Sequence, residues 1–223
     1  MDCMAKKVKK TKEYRKASHF NAQEQQLRAN PVAARVARNG SQENKSNPML
    51  LISVGLVVCL ALFVYYHVLT MVQMKDLSDS LSMPDQRVFG YTVADIEALR
   101  SAMNADAIGQ LNYLHKTAGF LFPMFTAVFS MLLFIRWIPN RQRRWLAWLA
   151  PLGFAVIDIW ENFAIDALFT GELSPGLVAL ASILTTIRWA LLIITAGLIV
   201  GIGGVRANRA LKQKILAIRE GTE

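Results

Sequence analysis

Apolar residues in this chain gather in long uninterrupted runs instead of recurring at a helical or strand period, and that arrangement predicts helices surrounded by lipid. Residues 49–71, MLLISVGLVVCLALFVYYHVLTM, contain no Asp, Glu, Lys or Arg. A helix of that length rises about 34 Å at about 1.5 Å per residue, enough for a hydrocarbon core of about 30 Å. Residues 117–135 form a second uncharged run. A third, 145–168, is broken only by an acidic cluster, and a fourth, 178–203, only by Arg188. The pattern predicts an all-α polytopic membrane four-helix bundle with spans at about 49–71, 117–137, 145–168 and 178–203.

The polar stretches between these runs carry their own periodicity. In YTVADIEALRSAMNADAIGQLNYLHK, Thr92 can cap a helix with Asp95 at the capping-box position, and Ile96, Leu99 and Met103 make one apolar edge. This predicts an extracytoplasmic amphipathic helix between spans one and two, covered by the membrane surface or the mouth of the bundle. Asn104, Ala105, Asp106 and Gly109 loosen its second half. Near the C-terminus, Leu211, Ile215 and Ile218 share a side, so 206–223 reads either as a basic amphipathic helix on the cytoplasmic face or as a continuation of span four. Residues 1–48 are rich in Lys, Arg, Gln and Asn and are broken at Pro31, Gly40 and Pro48. They read as a mostly disordered tail with a short helix near 20–29.

Charge adds orientation to this picture. Of the 223 residues 53% are hydrophobic and 18% charged, and the net charge of +9 is concentrated at the start: residues 1–48 hold 11 Lys+Arg against 4 Asp+Glu. Residues 72–116 hold 4 bases against 6 acids. Arg136, Arg141, Arg143 and Arg144 lie between spans two and three, and TGELSPGL between spans three and four carries one acid. Arg206, Arg209, Lys212, Lys214 and Arg219 follow span four. The alternation places both termini in the cytoplasm of a multi-pass protein of a bacterial-type plasma membrane. The basic tail then meets anionic lipid headgroups, with nucleic acid not expected as a partner. Cys3 and Cys59 supply no disulfide framework, and the first apolar run is too long for a cleavable signal peptide.

The chemistry lies in VIDIWENFAID, residues 156–166. At about 100° per residue Asp158, Glu161 and Asn162 share one face and Trp160 points away, while Ser182, Thr185 and Arg188 form a matching stripe in span four. Each carboxylate in hydrocarbon costs about 2.5 to 3.5 kcal/mol on insertion scales, so a partner is required. Counting from the short loop between spans three and four puts Asp158 and Arg188 at the same depth, about 16 Å. Arg188 is expected to hold Asp158 bidentately, with Asn162 or Glu161 on its other donors. In span two, Pro123 crowds the carbonyl of Gly119 and frees it toward the interior. A cavity is expected there, rimmed by Tyr66, His67, Tyr113, His115, Lys116 and Asp166.

The order YT (Tyr91, Thr92), FP (Phe122, Pro123), D-x-x-E-N (Asp158, Glu161, Asn162) and S-x-x-T-x-x-RW (Ser182, Thr185, Arg188, Trp189) resembles a group of uncharacterised bacterial four-span membrane proteins. The resemblance covers roughly residues 90–190 and implies an architecture without a reaction.

Three functional readings follow. In the first, the cluster is structural, fixing helix register in a protein that binds a partner, with Gly197 and Gly201 as a G-x-x-x-G contact for a homodimer. In the second, Asp158, Glu161, Asn162, Ser182, Thr185 and Arg188 bind a lipid or small molecule. There Glu161 or Asp158 would be the acid or base of an isomerase or hydrolase, and His67 or His115 a helper. In the third, Glu161 serves a proton-coupled transporter working as a dimer. No cofactor is expected and no metal, because the acidic stripe has no His and the chain no H-E-x-x-H; G-x-S-x-G and G-x-x-x-x-G-K are absent too.

Overall fold

A computed structural model describes residues 48–221. The chain divides into two compact units, Met1–Leu50 and Leu51–Glu223. The predicted tail, with its short helix near 20–29, lies outside the described residues, and nearly everything below concerns the second unit.

Among the described residues there is no strand. Helix α1 (Pro48–Val64) passes through a π-helical turn (Tyr65–Thr70) into α2 (Met71–Asp76). A short 3-10 turn (Pro84–Gln86) precedes α3 (Val93–Ala102), α4 (Ala105–Lys116), α5 (Ala118–Trp137), α6 (Arg141–Thr170) and α7 (Pro175–Glu220). Three stretches are long and apolar enough to cross a membrane: Met49–Asp76, Ala105–Trp137 and Pro175–Arg219. Helix α6 is as long but carries Asp158, Glu161 and Asp166 in its second half.

Local chemistry explains where these elements start and stop. Thr92 and Asp95 form the expected reciprocal capping box at the start of α3. The predicted loosening after Met103 is a full break: Met103 is extended and Asn104 caps a new helix, its Oδ1 accepting from the Ala107 N–H at 2.8 Å. Asn104 serves as a cap and Asp106 falls in the first turn of the new helix, so neither sits in a helix interior. Near the C-terminus, the alternative of a continued span four is the one adopted, α7 running without interruption for 46 residues. Ala, Leu, Lys and Arg favour the helix there and no Pro stops it.

Helix α6 lies between α5 and α7 and packs along both; α4 packs on α5 and α6, and α3 on α7. The side of α6 bearing Phe154, Asp158, Glu161, Asn162 and Ile165 is buried, whereas Leu149, Val156, Trp160 and Phe163 are exposed. Helix α1 lies close to α5 at Gly55, where a Cβ would come within 2.1 Å of the Phe129 ring. Any larger residue there requires the Phe129 ring to move.

Most of the apolar core sits at the end of the helices that carries residues 77–92. Met71, Met74, Met83, Ile96, Leu99, Leu111 and Leu168 are fully buried in it, each worth about 1.5–3 kcal/mol over exposure. The connecting segment dips inward, so that Met83, Pro84 and Asp85 are buried. It leaves again through Gly90, whose φ of +91° favours glycine and whose hydrogen faces the Ser182 hydroxyl, 2.5 Å from where a Cβ would stand.

Candidate functional site

Helix periodicity puts Ser182, Thr185 and Arg188 on one side of α7, and the packing of α7 on α6 turns that side toward Asp158, Glu161 and Asn162. Arg188 is buried, with its Nη1 3.2 Å from Asp158 Oδ1 and its Nε 2.7 Å from Glu161 Oε2. The second contact is ionic rather than an aligned hydrogen bond. Arg188 therefore does not grip Asp158 through two parallel bonds as expected. Its donors are divided: Glu161 faces Nε, and the connecting segment brings in a backbone carbonyl and, farther off, a third carboxylate.

That carboxylate is Asp85. Its backbone carbonyl accepts from Arg188 Nη2 at 2.6 Å and from Trp189 Nε1 at 3.0 Å, and its Oδ1 stands 3.8 Å from Arg188 Nη1. On the opposite side Tyr66, turned inward by the π-helical turn, donates from Oη toward Asp85 Oδ1 at 3.1 Å. His115 Nε2 lies 3.5 Å from Asp85 Oδ2, and His115 Nδ1 lies 2.6 Å from Asp166 Oδ1. Asn112 Nδ2 holds the other Asp166 oxygen at 2.7 Å. Burial alone would push the Asp85 carboxyl up; the charges of His115 and Arg188 outweigh it and hold Asp85 well below the usual carboxylate range. Burial pushes the neighbouring Tyr91 phenol up, keeping it neutral.

The remaining expected site residues divide. Thr185 Oγ1 lies 2.6 Å from Glu161 Oε1 and 3.0 Å from the Ala181 carbonyl, so its single proton has two acceptors. Asn162 is not on Arg188: its Nδ2 donates to the Gly119 carbonyl at 2.9 Å, the acceptor that Pro123 frees, and its Oδ1 accepts from Tyr66 at 3.2 Å. Ser182 lies outside the cluster and accepts from the Tyr91 N–H at 2.9 Å, tethering the connecting segment. His67 is enclosed by aromatic rings, with centroids at 4.7 Å to Tyr66, 5.1 Å to Phe122 and 5.1 Å to Trp189. It has no part in the polar network. Of the expected rim, His115, Lys116 and Asp166 line a cavity of about 120 Å³ together with Asn162, while Tyr113 is exposed away from it.

Asp85, Asp158 and Glu161 are each fully buried, and the cations in contact with them are Arg188 and, when protonated, His115. Even with His115 protonated, one negative charge is left over. An uncompensated carboxylate away from water takes a proton rather than remain charged, so this set can bind and release one proton. Among the described residues no group of His, Cys, Asp and Glu is arranged to hold a metal ion. Sequence reasoning did not find Asp85, Asn112 or the inward turn of Tyr66. Comparison with protein-family models, curated proteins and solved structures returns no match to this chain.

Proposed function

We propose that the chain is a four-span integral membrane protein with both termini in the cytoplasm, and that its buried cluster is a proton-exchanging site beneath the outer surface. Support for the fourth span comes from α6, whose Leu149, Val156, Trp160 and Phe163 are exposed on the side opposite the buried acids, as a lipid-facing helix requires. The loop charges orient the bundle, putting residues 77–116 outside and the arginines at 136–144 inside. The resemblance to bacterial four-span proteins adds the same architecture. Gly197 and Gly201 have open space over their Cα atoms, which leaves room for a helix of a second copy.

One observation carries the functional reading: three fully buried carboxyls surround one guanidinium, with a histidine at the edge. A protonatable carboxyl near mid-membrane serves a proton-coupled carrier or a membrane-embedded acid–base enzyme alike. Infrared difference spectra of the full-length protein in liposomes, taken between acidic and alkaline buffer, test it. The protonated-carboxyl stretch should titrate in the wild type and be lost or shifted in Glu161→Gln or Asp158→Asn. A spectrum without such a band, or one that neither variant alters, refutes the reading.

A structural reading is favoured by a separate observation, the paired hydrogen bonds from Arg188 and Trp189 to the Asp85 carbonyl, which fasten the segment to the bundle. In that case Glu161→Gln, Asp158→Asn and Arg188→Leu would all lower the melting temperature together, and no carboxyl would titrate.

A further inference from the structure

We propose that protons reach this cluster from the outer side through an Asp166–His115–Asp85 relay whose mouth is the cavity between α4–α5 and α6. The relay rests on the proton-exchanging reading above and supplies its route.

A hydrogen bond between Asp166 and His115 and an ionic contact between His115 and Asp85 run from cavity to cluster. Asp166 lies near the end of α6, with its side chain 12% exposed, and lines the cavity with His115, Lys116 and Asn162. His115 is buried, and its two ring nitrogens face two different carboxylates, Asp166 at 2.6 Å and Asp85 at 3.5 Å. Asn112 fixes the free Asp166 oxygen, so that Oδ1 remains directed at the ring. Asp85 and Asp158 place oxygens 3.8 Å and 3.2 Å from the same Arg188 nitrogen, so the relay delivers at Asp85 and the acids of α6 feel that proton through the shared guanidinium, which itself passes none.

Other approaches to Asp85 are occupied. Tyr66 of the π-helical turn covers Oδ1, Arg188 and Trp189 of α7 hold the backbone carbonyl, and His67 is packed among aromatic rings. The charged or titratable groups facing His115 are Asp85 from the connecting segment and Asp166 from α6, with Lys116 beside it on α4. An imidazole between two carboxylates can accept at one nitrogen and donate from the other. Starting from a neutral ring with its proton on Nε2, a proton taken by Asp166 moves to His115 Nδ1 and gives the imidazolium whose charge faces Asp85; the proton on Nε2 then leaves for Asp85 Oδ2. The cluster gains one proton, His115 ends neutral in its other tautomer, and the reverse steps return the proton. Each transfer conserves charge and needs no further reactant.

Time-resolved infrared measurement on full-length protein in liposomes, after a jump in external pH, tests the route. The carboxyl signal should approach its final amplitude roughly a hundredfold more slowly in Asp166→Asn and His115→Gln than in the wild type, the scale of a lost proton-transfer group. Because buried His115→Gln carries a folding risk, a third measurement uses Lys116→Cys at the cavity rim. A bulky thiol reagent should slow exchange in that protein relative to the same sample before labelling, and leave the similarly treated wild type, with its Cys3 and Cys59, unchanged. Unaltered rates in Asp166→Asn and in labelled Lys116→Cys overturn the relay while leaving the proton-exchanging site standing. A wild type with no titrating carboxyl overturns the site itself, and the relay with it.

Discussion

Replacing Asp85 with alanine isolates what the inward-dipping segment gains from its carboxylate. The side chain is fully buried, accepts from Tyr66 at 3.1 Å and faces His115 at 3.5 Å and Arg188 at 3.8 Å, while the backbone carbonyl keeps its bonds to Arg188 and Trp189 in the variant. A hydrogen bond to a charged group contributes about 1.5–3 kcal/mol, and loss of the carboxylate also leaves the Tyr66 hydroxyl with one acceptor fewer. Removing one of three crowded negative charges offsets part of that, so the expected cost to the closed segment is about 2–3 kcal/mol. At about 1.4 kcal/mol per factor of ten, the open population rises roughly 30- to 150-fold. Arg87 lies in this segment, paired with Asp95 at 2.6 Å, and becomes a trypsin site when the segment opens. Cleavage after Arg87, followed by mass spectrometry under conditions where opening is fast relative to cutting, reports that population directly. Asp85→Asn, which keeps the shape and one acceptor, should cost about half as much. Equal cleavage rates in wild type and Asp85→Ala would refute the claim that this carboxylate anchors the segment.

Acid should weaken the same anchor with a defined sign. The folded-state pKa of Asp85 lies below the ordinary value of about 3.9, so its contribution is complete above that value and disappears as pH falls through the lower one. Protection of the Tyr91 amide, measured by hydrogen exchange and corrected for the intrinsic rate, should decline below about pH 4 in the wild type, and that acid decline should be absent in Asp85→Asn. A second prediction concerns Pro123: Asn162→Ala should cost about 1–2 kcal/mol in the wild type, where its amide serves the Gly119 carbonyl. It should cost less than half of that in a Pro123→Ala background, where the restored N–H takes over the acceptor. Thermal melts of the four proteins in a double-mutant cycle check it, and additive costs would sink it.

Sequence made part of this site visible because a charge inside an apolar run has no innocuous explanation. Asp158, Glu161 and Arg188 stand out for that reason, and the periodicity of two helices is enough to turn them toward each other. Pro123 was legible in the same way, since the ring affects a carbonyl four residues earlier whatever surrounds it. Asp85 was not legible. It sits among Ser, Gln, Arg and Gly, where an aspartate is ordinarily solvated, and its burial depends on a turn no local pattern specifies. The π-helical turn at Tyr65–Thr70 is likewise invisible in a uniformly apolar run, yet it aims Tyr66. Polar residues also hid the length of the second long stretch, because Ala105–Lys116 reads as a surface helix until α4 is seen to run on into α5 with only Thr117 between them.

The two attachments of Asp85 tie the segment to the protonation state of the acids beneath it. Its carbonyl is held by the same Arg188 that faces Asp158 and Glu161, and its carboxylate competes with theirs for that guanidinium. Two unit charges about 4 Å apart interact by about 4 kcal/mol at an effective dielectric of about 20, so one proton added to Asp158 or Glu161 changes the balance around Arg188 by an amount comparable to the whole anchor. With one competing carboxylate neutral, Arg188 is drawn more strongly to Asp85 and the segment closes more firmly. By linkage, a closed segment must then favour the proton by the same factor. Trypsin cleavage after Arg87 should therefore slow as the wild-type cluster takes up its proton. In Glu161→Gln, where that change is fixed in place, cleavage should follow only the pH dependence of the protease. A wild type whose cleavage rate is indifferent to the infrared titration would mean that Arg188 holds the loop and the acids independently, and that the shared guanidinium transmits nothing.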